Sequence, residues 1–268
     1  MLAAGCVAPE VKRGRRALDD GAFEIAAESF RRAAEESPED AARWMELGRA
    51  EMLAGRAGPA RDAFARAAVL REGDPVPRVR IGLTWEMERR YDDALLAYEQ
   101  AVEMAPDDPY PLRVLGTRLL RWGRAEEAVG PLAKAVQLDA RHAETWNALA
   151  LAQYQAGDRT AAERTFRRGL VHHERHRGLW LGLAAVLING GRHDAALAVY
   201  DAVVARWPRF AAAHVGRGIL LHELGRGGEA ESAFERAVAV ARDPRPYRAR
   251  LERYRRLRSG SAAGAETK

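Results

Sequence analysis

Small and hydrophobic residues recur along the chain with a fixed period of 34 residues, from Val7 to Pro244. Seven repeats follow one another without insertion or deletion: 7–40, 41–74, 75–108, 109–142, 143–176, 177–210 and 211–244. Within each repeat the apolar residues form two blocks with helical spacing, and a break near position 15 separates them. The break is a glycine in six repeats: Gly21, Gly55, Gly123, Gly157, Gly191 and Gly225. The pattern therefore predicts two helices in every repeat and no strand.

Three columns of the repeat show how the predicted helices pack. Position 8 is small in every repeat: Gly14, Gly48, Gly82, Gly116, Ala150, Ala184 and Gly218. Position 20 is alanine throughout: Ala26, Ala60, Ala94, Ala128, Ala162, Ala196 and Ala230. Position 24 is large: Phe30, Phe64, Tyr98, Leu132, Phe166, Tyr200 and Phe234. We expect the small residues to let two helix backbones approach closely while the large residue fills the space beside them.

These columns resemble the tetratricopeptide repeat, most fully in the second repeat, which carries Trp44, Leu47, Gly48, Ala60 and Phe64. The resemblance covers residues 7–244. It implies an all-α fold, a right-handed α-solenoid of seven 34-residue helix-turn-helix repeats with a C-terminal capping helix. The first repeat departs from the pattern, because polar residues stand where an aromatic residue and a leucine are usual.

The resemblance also implies a binding surface, because in this family the first helix of each repeat lines a concave groove through positions 2, 5, 9, 12 and 13. The residues it implies, called the groove residues below, are Met45, Arg49, Met52, Val79, Leu83, Met87, Arg113, Leu120, Asn147, Leu151, Tyr154, Leu181, Ile188, Asn189, Val215 and Ile219. Most are apolar, which suits an amphipathic helix or an extended hydrophobic segment of another protein. The lysine–asparagine clamp for acidic C-termini and the asparagine ladder of the sugar-transferase superhelix are both missing from these columns.

The basic charge of the chain lies at its C-terminal end. The formal net charge is +5, but residues 245–258 contain seven arginines and one glutamate, so the remainder is close to neutral. An apolar stripe of Tyr247, Leu251, Tyr254 and Leu257 predicts that 245–258 is a basic capping helix, followed by a disordered tail at 259–268. A neutral repeat body disfavours nucleic acid as the partner. Binding of RNA or an anionic membrane by the arginine-rich helix stays open as an alternative.

The N-terminus resembles the end of a bacterial lipoprotein signal, since small residues lead directly to Cys6. This interpretation makes residues 1–6 the remnant of a signal that begins upstream of Met1, with Cys6 lipidated. It favours a periplasm-facing place in the bacterial cell envelope and a similarity to tetratricopeptide lipoproteins, including pilotins that help pilus secretins assemble. Two alternatives stay open: a chance Gly-Cys pair, and a cytoplasmic adaptor or co-chaperone-like regulator.

No pattern in the sequence predicts catalysis, a cofactor or a metal. The single cysteine excludes an intramolecular disulfide and a cysteine-based zinc site. The histidines at 172, 173 and 176 lack the His-Glu-x-x-His spacing of a zinc peptidase, because Arg177 stands where the second histidine would be. The sequence therefore predicts a non-catalytic scaffold that binds another protein, with its oligomeric state left open.

Overall fold

The computed structural model describes residues 9–265, with side chains through Arg258. Within this range every regular element is a helix and no strand occurs. The helices are α1 (Pro9–Asp19), α2 (Phe23–Glu36), α3 (Ala41–Leu53), α4 (Ala57–Leu70), α5 (Pro75–Met87), α6 (Tyr91–Met104), α7 (Pro109–Arg121), α8 (Ala125–Leu138), α9 (Ala143–Gln155), α10 (Arg159–His172), α11 (Arg177–Asn189), α12 (His193–Arg206), α13 (Ala211–Glu223), α14 (Gly227–Val240) and α15 (Arg245–Ala265).

The helices keep the predicted phase. The first helix of each repeat from α3 to α13 has 13 residues, and the second helix of every repeat has 14. From α2 onward, equivalent helices begin 34 residues apart, which confirms the predicted all-helical solenoid of paired helices. The chain divides into two compact parts: the N-terminal part, up to Asp139, holds α1–α8, and the C-terminal part, from Ala140, holds α9–α15.

In the N-terminal part, an aspartate at position 34 caps the first helix of the next repeat. Asp40, Asp74 and Asp108 each accept a hydrogen bond from the backbone N–H two residues later, at 2.9, 2.9 and 2.8 Å. Such a cap satisfies an N–H group that the helix itself leaves unpaired. The C-terminal part starts its first helices differently. His176 accepts through Nδ1 from Leu179 at 3.3 Å, and Phe210 offers no side-chain cap.

The turn between the two helices of a repeat needs a left-handed residue at position 15. Six glycines occupy this place with φ between 72° and 92°. The third repeat has Arg89 there, with φ of 59°, and it is the non-glycine residue with a positive φ in the described chain. The turn still closes as in the other repeats, because Arg90 N–H donates to Trp85 O at 3.0 Å. This six-to-one hydrogen bond is typical of a left-handed helix end.

The core depends on the columns that the sequence singled out. All seven alanines at position 20 have no exposed surface. In the second repeat the Phe64 ring lies directly against Gly48, where an added Cβ would stand 2.5 Å from a ring carbon. The first, third and fourth repeats pack in the same way. The close approach of the paired helices therefore requires glycine at position 8 in these repeats.

Repeats 5 and 6 solve the same packing problem with another glycine. Their position 8 is alanine, and the Phe166 ring lies instead against Gly182, at position 6 of the following repeat, where a Cβ would be 2.3 Å away. Tyr200 likewise lies against Gly216, where the corresponding distance is 2.5 Å. The sequence columns did not reveal this exchange, since it links two different positions in neighbouring repeats.

The C-terminal end differs from the sequence prediction. Leu251 and Tyr254 are buried, as expected of a helix that packs on the last repeat, but Leu257 is 62% exposed. Helix α15 continues to Ala265, whereas the sequence predicted a disordered tail from residue 259. Residues 266–268 and Cys6, with the predicted signal remnant, lie outside the described residues.

Candidate functional site

In the N-terminal part, the groove residues differ in how far they reach the surface. Arg49 is exposed and Met87 is 41% exposed, which leaves both side chains available to a partner. The half-buried groove residues of this part are Met45, Met52, Leu83, Arg113 and Leu120. Half-buried apolar side chains on successive first helices can pack against a partner without unfolding the repeat.

Val79 is an exception, because only 1% of its surface is exposed. Helix α5 is covered on more than one side. Pro75, Pro77 and Ile81 are also buried, and residues two apart lie on different faces of a helix. Val79 therefore belongs to the core, and its assignment to the groove is wrong for this conformation.

A cavity of about 260 Å³ opens beside the groove residues of the second repeat. Phe64, which is 1% exposed, forms part of its buried wall. The lining residues are Ala42, Met45, Glu46, Arg49, Phe64, Arg71 and Arg80. Glu46 forms ion pairs with Arg15 at 3.5 Å and with Arg49 at 3.9 Å. The cavity thus combines an apolar wall with a predominantly basic rim.

In the C-terminal part, most groove residues are again partly exposed. Ile219 is 41% exposed and Asn189 is exposed, while its side-chain amide donates to Ala185 O at 2.9 Å. The half-buried members are Asn147, Leu151, Tyr154, Leu181, Ile188 and Val215. The amide of Asn189 is engaged in its own helix, so this residue is a weaker candidate for contact than its apolar neighbours.

A second cavity, of about 350 Å³, includes residues that the sequence analysis did not assign to the groove. Its lining residues are Ile219, Phe234, Ala249, Arg250, Arg253, Tyr254 and Leu257. A signal was available, because continuing the 34-residue count beyond Pro244 places Ala249, Arg253 and Leu257 at positions 5, 9 and 13. These are the positions at which the resemblance placed the groove.

The histidines of the fifth repeat have structural partners. His173 Nε2 lies 2.8 Å from Ala140 O, and His176 caps α11. The His172 ring stacks on Trp146 with 5.6 Å between ring centres. In the portion of the chain that the structure describes, no group of three or more histidine, cysteine or acidic residues is arranged to hold a metal ion. The helices described include none with the length and hydrophobicity required to cross a membrane.

Comparison with known proteins identifies the repeats. Residues 11–75, 86–143, 147–205 and 186–249 match the family described as tetratricopeptide repeat. A search of curated proteins finds no match to the sequence.

Solved structures with a similar fold include three of particular interest. The C-terminal part of a repeat protein from Cytophaga hutchinsonii aligns over 85% of this chain and 94% of its own, with a TM-score of 0.70 and 11% identity. YrrB, described as having an unusual peptide-binding site, aligns over 70% of this chain and 97% of its own, with a TM-score of 0.56 and 20% identity. MamA aligns over 60% of this chain and 94% of its own, with a TM-score of 0.55 and 25% identity.

Proposed function

Because the chain belongs to the tetratricopeptide repeat family, we propose that it is a non-catalytic scaffold whose first helices hold a peptide or an amphipathic segment of a partner protein. The observation that carries the proposal is the row of partly exposed apolar groove residues, repeated at the same positions in successive repeats. Apolar side chains at such regular exposed positions are typical of surfaces that bind other proteins. The peptide-binding site named for YrrB is consistent with this role.

The expected affinity is modest. If a partner buries roughly 600 Å² of apolar surface, the gross gain is about 15 kcal/mol at roughly 25 cal/mol per Å². Loss of translational and conformational freedom removes on the order of 4–15 kcal/mol of this gain. A dissociation constant in the micromolar range follows, which suits a partner that exchanges on and off the scaffold.

Charge substitutions in the groove test the proposal in each part of the chain separately. Leu83→Glu in the N-terminal part and Leu151→Glu in the C-terminal part place a charge where an apolar partner surface would pack. We expect at least one of them to reduce capture of the native partner by about tenfold or more, because the carboxylate must lose its hydration. Capture is measured by crosslinking in cells followed by quantitative mass spectrometry.

Matched controls come from exposed apolar residues on the second helices. Val69 is 69% exposed and Val171 is 81% exposed, and both are at position 29. Val69→Glu and Val171→Glu should retain the partner, and circular dichroism should show that all four variants stay helical. Unchanged capture by both leucine variants would exclude the groove as the binding surface.

We also propose that this scaffold works at the bacterial cell envelope, where it assists assembly of a multiprotein complex and is held by a lipid on Cys6. The support is the run of small residues that ends at Cys6, directly before the first repeat. Metabolic labelling with radioactive palmitate should mark the native protein and should not mark Cys6→Ser. Absence of label from the native protein would favour the cytoplasmic adaptor instead.

A further inference from the structure

Helix α15 occupies the place of a first helix in an eighth, incomplete repeat. It begins at Arg245, 34 residues after the start of α13 at Ala211. Leu251 and Tyr254 on this helix are 7% and 6% exposed. The Tyr254 ring lies 4.9 Å from that of Phe234, and its hydroxyl donates to Gly227 O at 3.0 Å. Because α15 is fixed in this way, it extends the row of first helices by one.

Four arginines of α15 form two pairs with different surroundings. Arg255 donates to Glu231 at 2.6 Å and to Glu235 at 2.5 Å, and Arg258 pairs with Glu231 at 2.7 Å. The hydrogen bond from Arg255 lowers the pKa of the Glu231 carboxyl below its ordinary value, and nearby Arg258 adds to this effect. This group of arginines holds α15 on α14. Their positive charge is neutralised within the chain.

Arg250 and Arg253 form the other group and line the second cavity. Both are exposed, and within residues 9–258 neither makes a hydrogen bond or an ion pair. They are three residues apart, so they lie on one face of the helix. Beside them are two exposed aliphatic side chains, Ile219 at 41% and Leu257 at 62%. The surface therefore presents two unneutralised guanidinium groups at the rim of an apolar depression.

We propose that this cavity is the docking site for an acidic amphipathic helix of a partner protein. One aliphatic side chain of that helix packs between Ile219 and Leu257, and carboxylates one turn away pair with Arg250 and Arg253. The planar guanidinium matches a carboxylate through paired hydrogen bonds, and the apolar wall favours a peptide over a phosphate backbone. The inference rests on the proposed function and specifies the chemistry of the partner at this end of the chain.

The experiment uses the full-length protein and a fluorescent 16-residue helical peptide with leucines on one face and glutamates one turn from them. A second peptide has glutamine in place of every glutamate. Fluorescence anisotropy at low and moderate salt gives the dissociation constants. We expect the acidic peptide to bind at least about tenfold more tightly than the glutamine peptide, because the ion pairs are lost in the latter.

Variants of the protein place the binding site. Arg253→Glu should weaken binding of the acidic peptide by at least about tenfold, and Leu257→Gln should weaken it about threefold to tenfold. Arg248→Glu is the matched control, because Arg248 is an exposed arginine on the same helix that does not line the cavity. At moderate salt this control should weaken binding several-fold less than Arg253→Glu does, because Arg248 does not line the cavity and salt screens its charge.

Three results would overturn the inference: equal binding of the two peptides, equal loss in Arg253→Glu and Arg248→Glu, or preference for single-stranded RNA or anionic vesicles over the acidic peptide. The experiments distinguish failure of this inference from failure of the general scaffold role. If Leu83→Glu or Leu151→Glu reduces capture of the native partner while the acidic peptide does not bind, the scaffold role holds and this inference fails. If the acidic peptide binds at Arg253 while both leucine variants keep the partner, this inference holds and the general scaffold role of the groove fails.

Discussion

The N-terminal and C-terminal parts of the chain are built on one 34-residue repeat, yet repeats 5 and 6 of the C-terminal part pack the large residue at position 24 against a different backbone. The seventh repeat packs it as the N-terminal part does, with Phe234 against Gly218. In the N-terminal part the Phe64 ring lies on Gly48 of its own repeat. In the C-terminal part the Phe166 ring lies on Gly182 of the following repeat, and Ala150 stands at its own position 8. In both arrangements the ring at position 24 needs a glycine beside it. The position of that glycine depends on the direction in which the ring points.

The second repeat differs from the sixth and seventh repeats at position 11. In the second repeat this position is Glu51, which is 1% exposed and accepts hydrogen bonds from Arg31 and Arg56. In the sixth and seventh repeats it is Leu187 and Leu221, which are 1% and 0% exposed. A buried carboxylate must be paired to be tolerated, whereas a leucine needs only space. The second repeat therefore depends on ion pairs at a place where the sixth and seventh repeats do not.

The largest expected effect comes from removing the partners of Glu51. The double variant Arg31→Ala/Arg56→Ala leaves its carboxylate buried without a strong donor, and we expect it to lower the free energy of unfolding by about 3 kcal/mol. Glu51→Leu instead introduces the residue type of the sixth and seventh repeats and should cost under about 1 kcal/mol. Urea denaturation followed by circular dichroism measures both. A greater loss in Glu51→Leu than in the double variant would contradict the comparison.

Glycine substitutions should have the next largest effect. Gly48→Ala and Gly182→Ala each place a methyl group inside an aromatic ring's space, and we expect a loss of about 1–3 kcal/mol. Gly58→Ala and Gly228→Ala are the controls, since an added Cβ meets no atom within 4 Å at either helical site. These controls should gain up to about 1 kcal/mol, because alanine favours helix more than glycine does.

A double variant tests whether the Phe166 ring can pack on a glycine of its own repeat. Ala150→Gly/Gly182→Ala moves the glycine beside Phe166 from the sixth repeat to position 8 of the fifth, the place it has in the N-terminal part. We expect it to recover at least half of the unfolding free energy lost in Gly182→Ala, because the Phe166 ring can then pack against a glycine in its own repeat. No recovery would mean that the ring direction is set by residues other than these two.

Helix caps should give an effect of about 1 kcal/mol. Asp108→Ala removes the acceptor for Tyr110 N–H and should cost about 0.5–2 kcal/mol. The neighbouring Asp107→Ala is the control, because that side chain is 86% exposed and forms an exposed ion pair with Lys134, at 3.5 Å. It should cost under about 0.5 kcal/mol. The difference in urea midpoint between the two variants isolates the cap, and equal midpoints would assign it no role.

The smallest expected effect is a gain. Arg89 is exposed and has a left-handed backbone conformation that costs a residue with a Cβ roughly 1 kcal/mol. Arg89→Gly should therefore raise the free energy of unfolding by up to about 1 kcal/mol, less the greater chain entropy of glycine when unfolded. The converse variant Gly123→Arg should lower it. A loss of stability in Arg89→Gly would show that the side chain contributes more than its backbone costs.

Much of the fold was predictable because each repeat is specified locally. The close packing of the alanine at position 20 and the phase of the helices can be predicted from residues within one repeat. The structure confirms both. The burial of Val79 and the pairing of Phe166 with Gly182 were not predictable, because each depends on how neighbouring helices meet. The groove residues came from the family resemblance, and their role as contacts stays a prediction. Arg253 lies beyond Pro244, where the seven complete repeats end, although the 34-residue period continues into α15.

Because Phe166 and Tyr200 pack against the following repeat, the repeats should not all unfold in the same way. A contact inside one hairpin persists for as long as that hairpin is folded, whereas a contact that crosses to the next hairpin disappears when either one opens. Repeats 5 to 7 should therefore melt as one cooperative block in hydrogen exchange. In the earlier repeats the large residue at position 24 packs within its own repeat. These repeats should therefore open one after another from α1 inward.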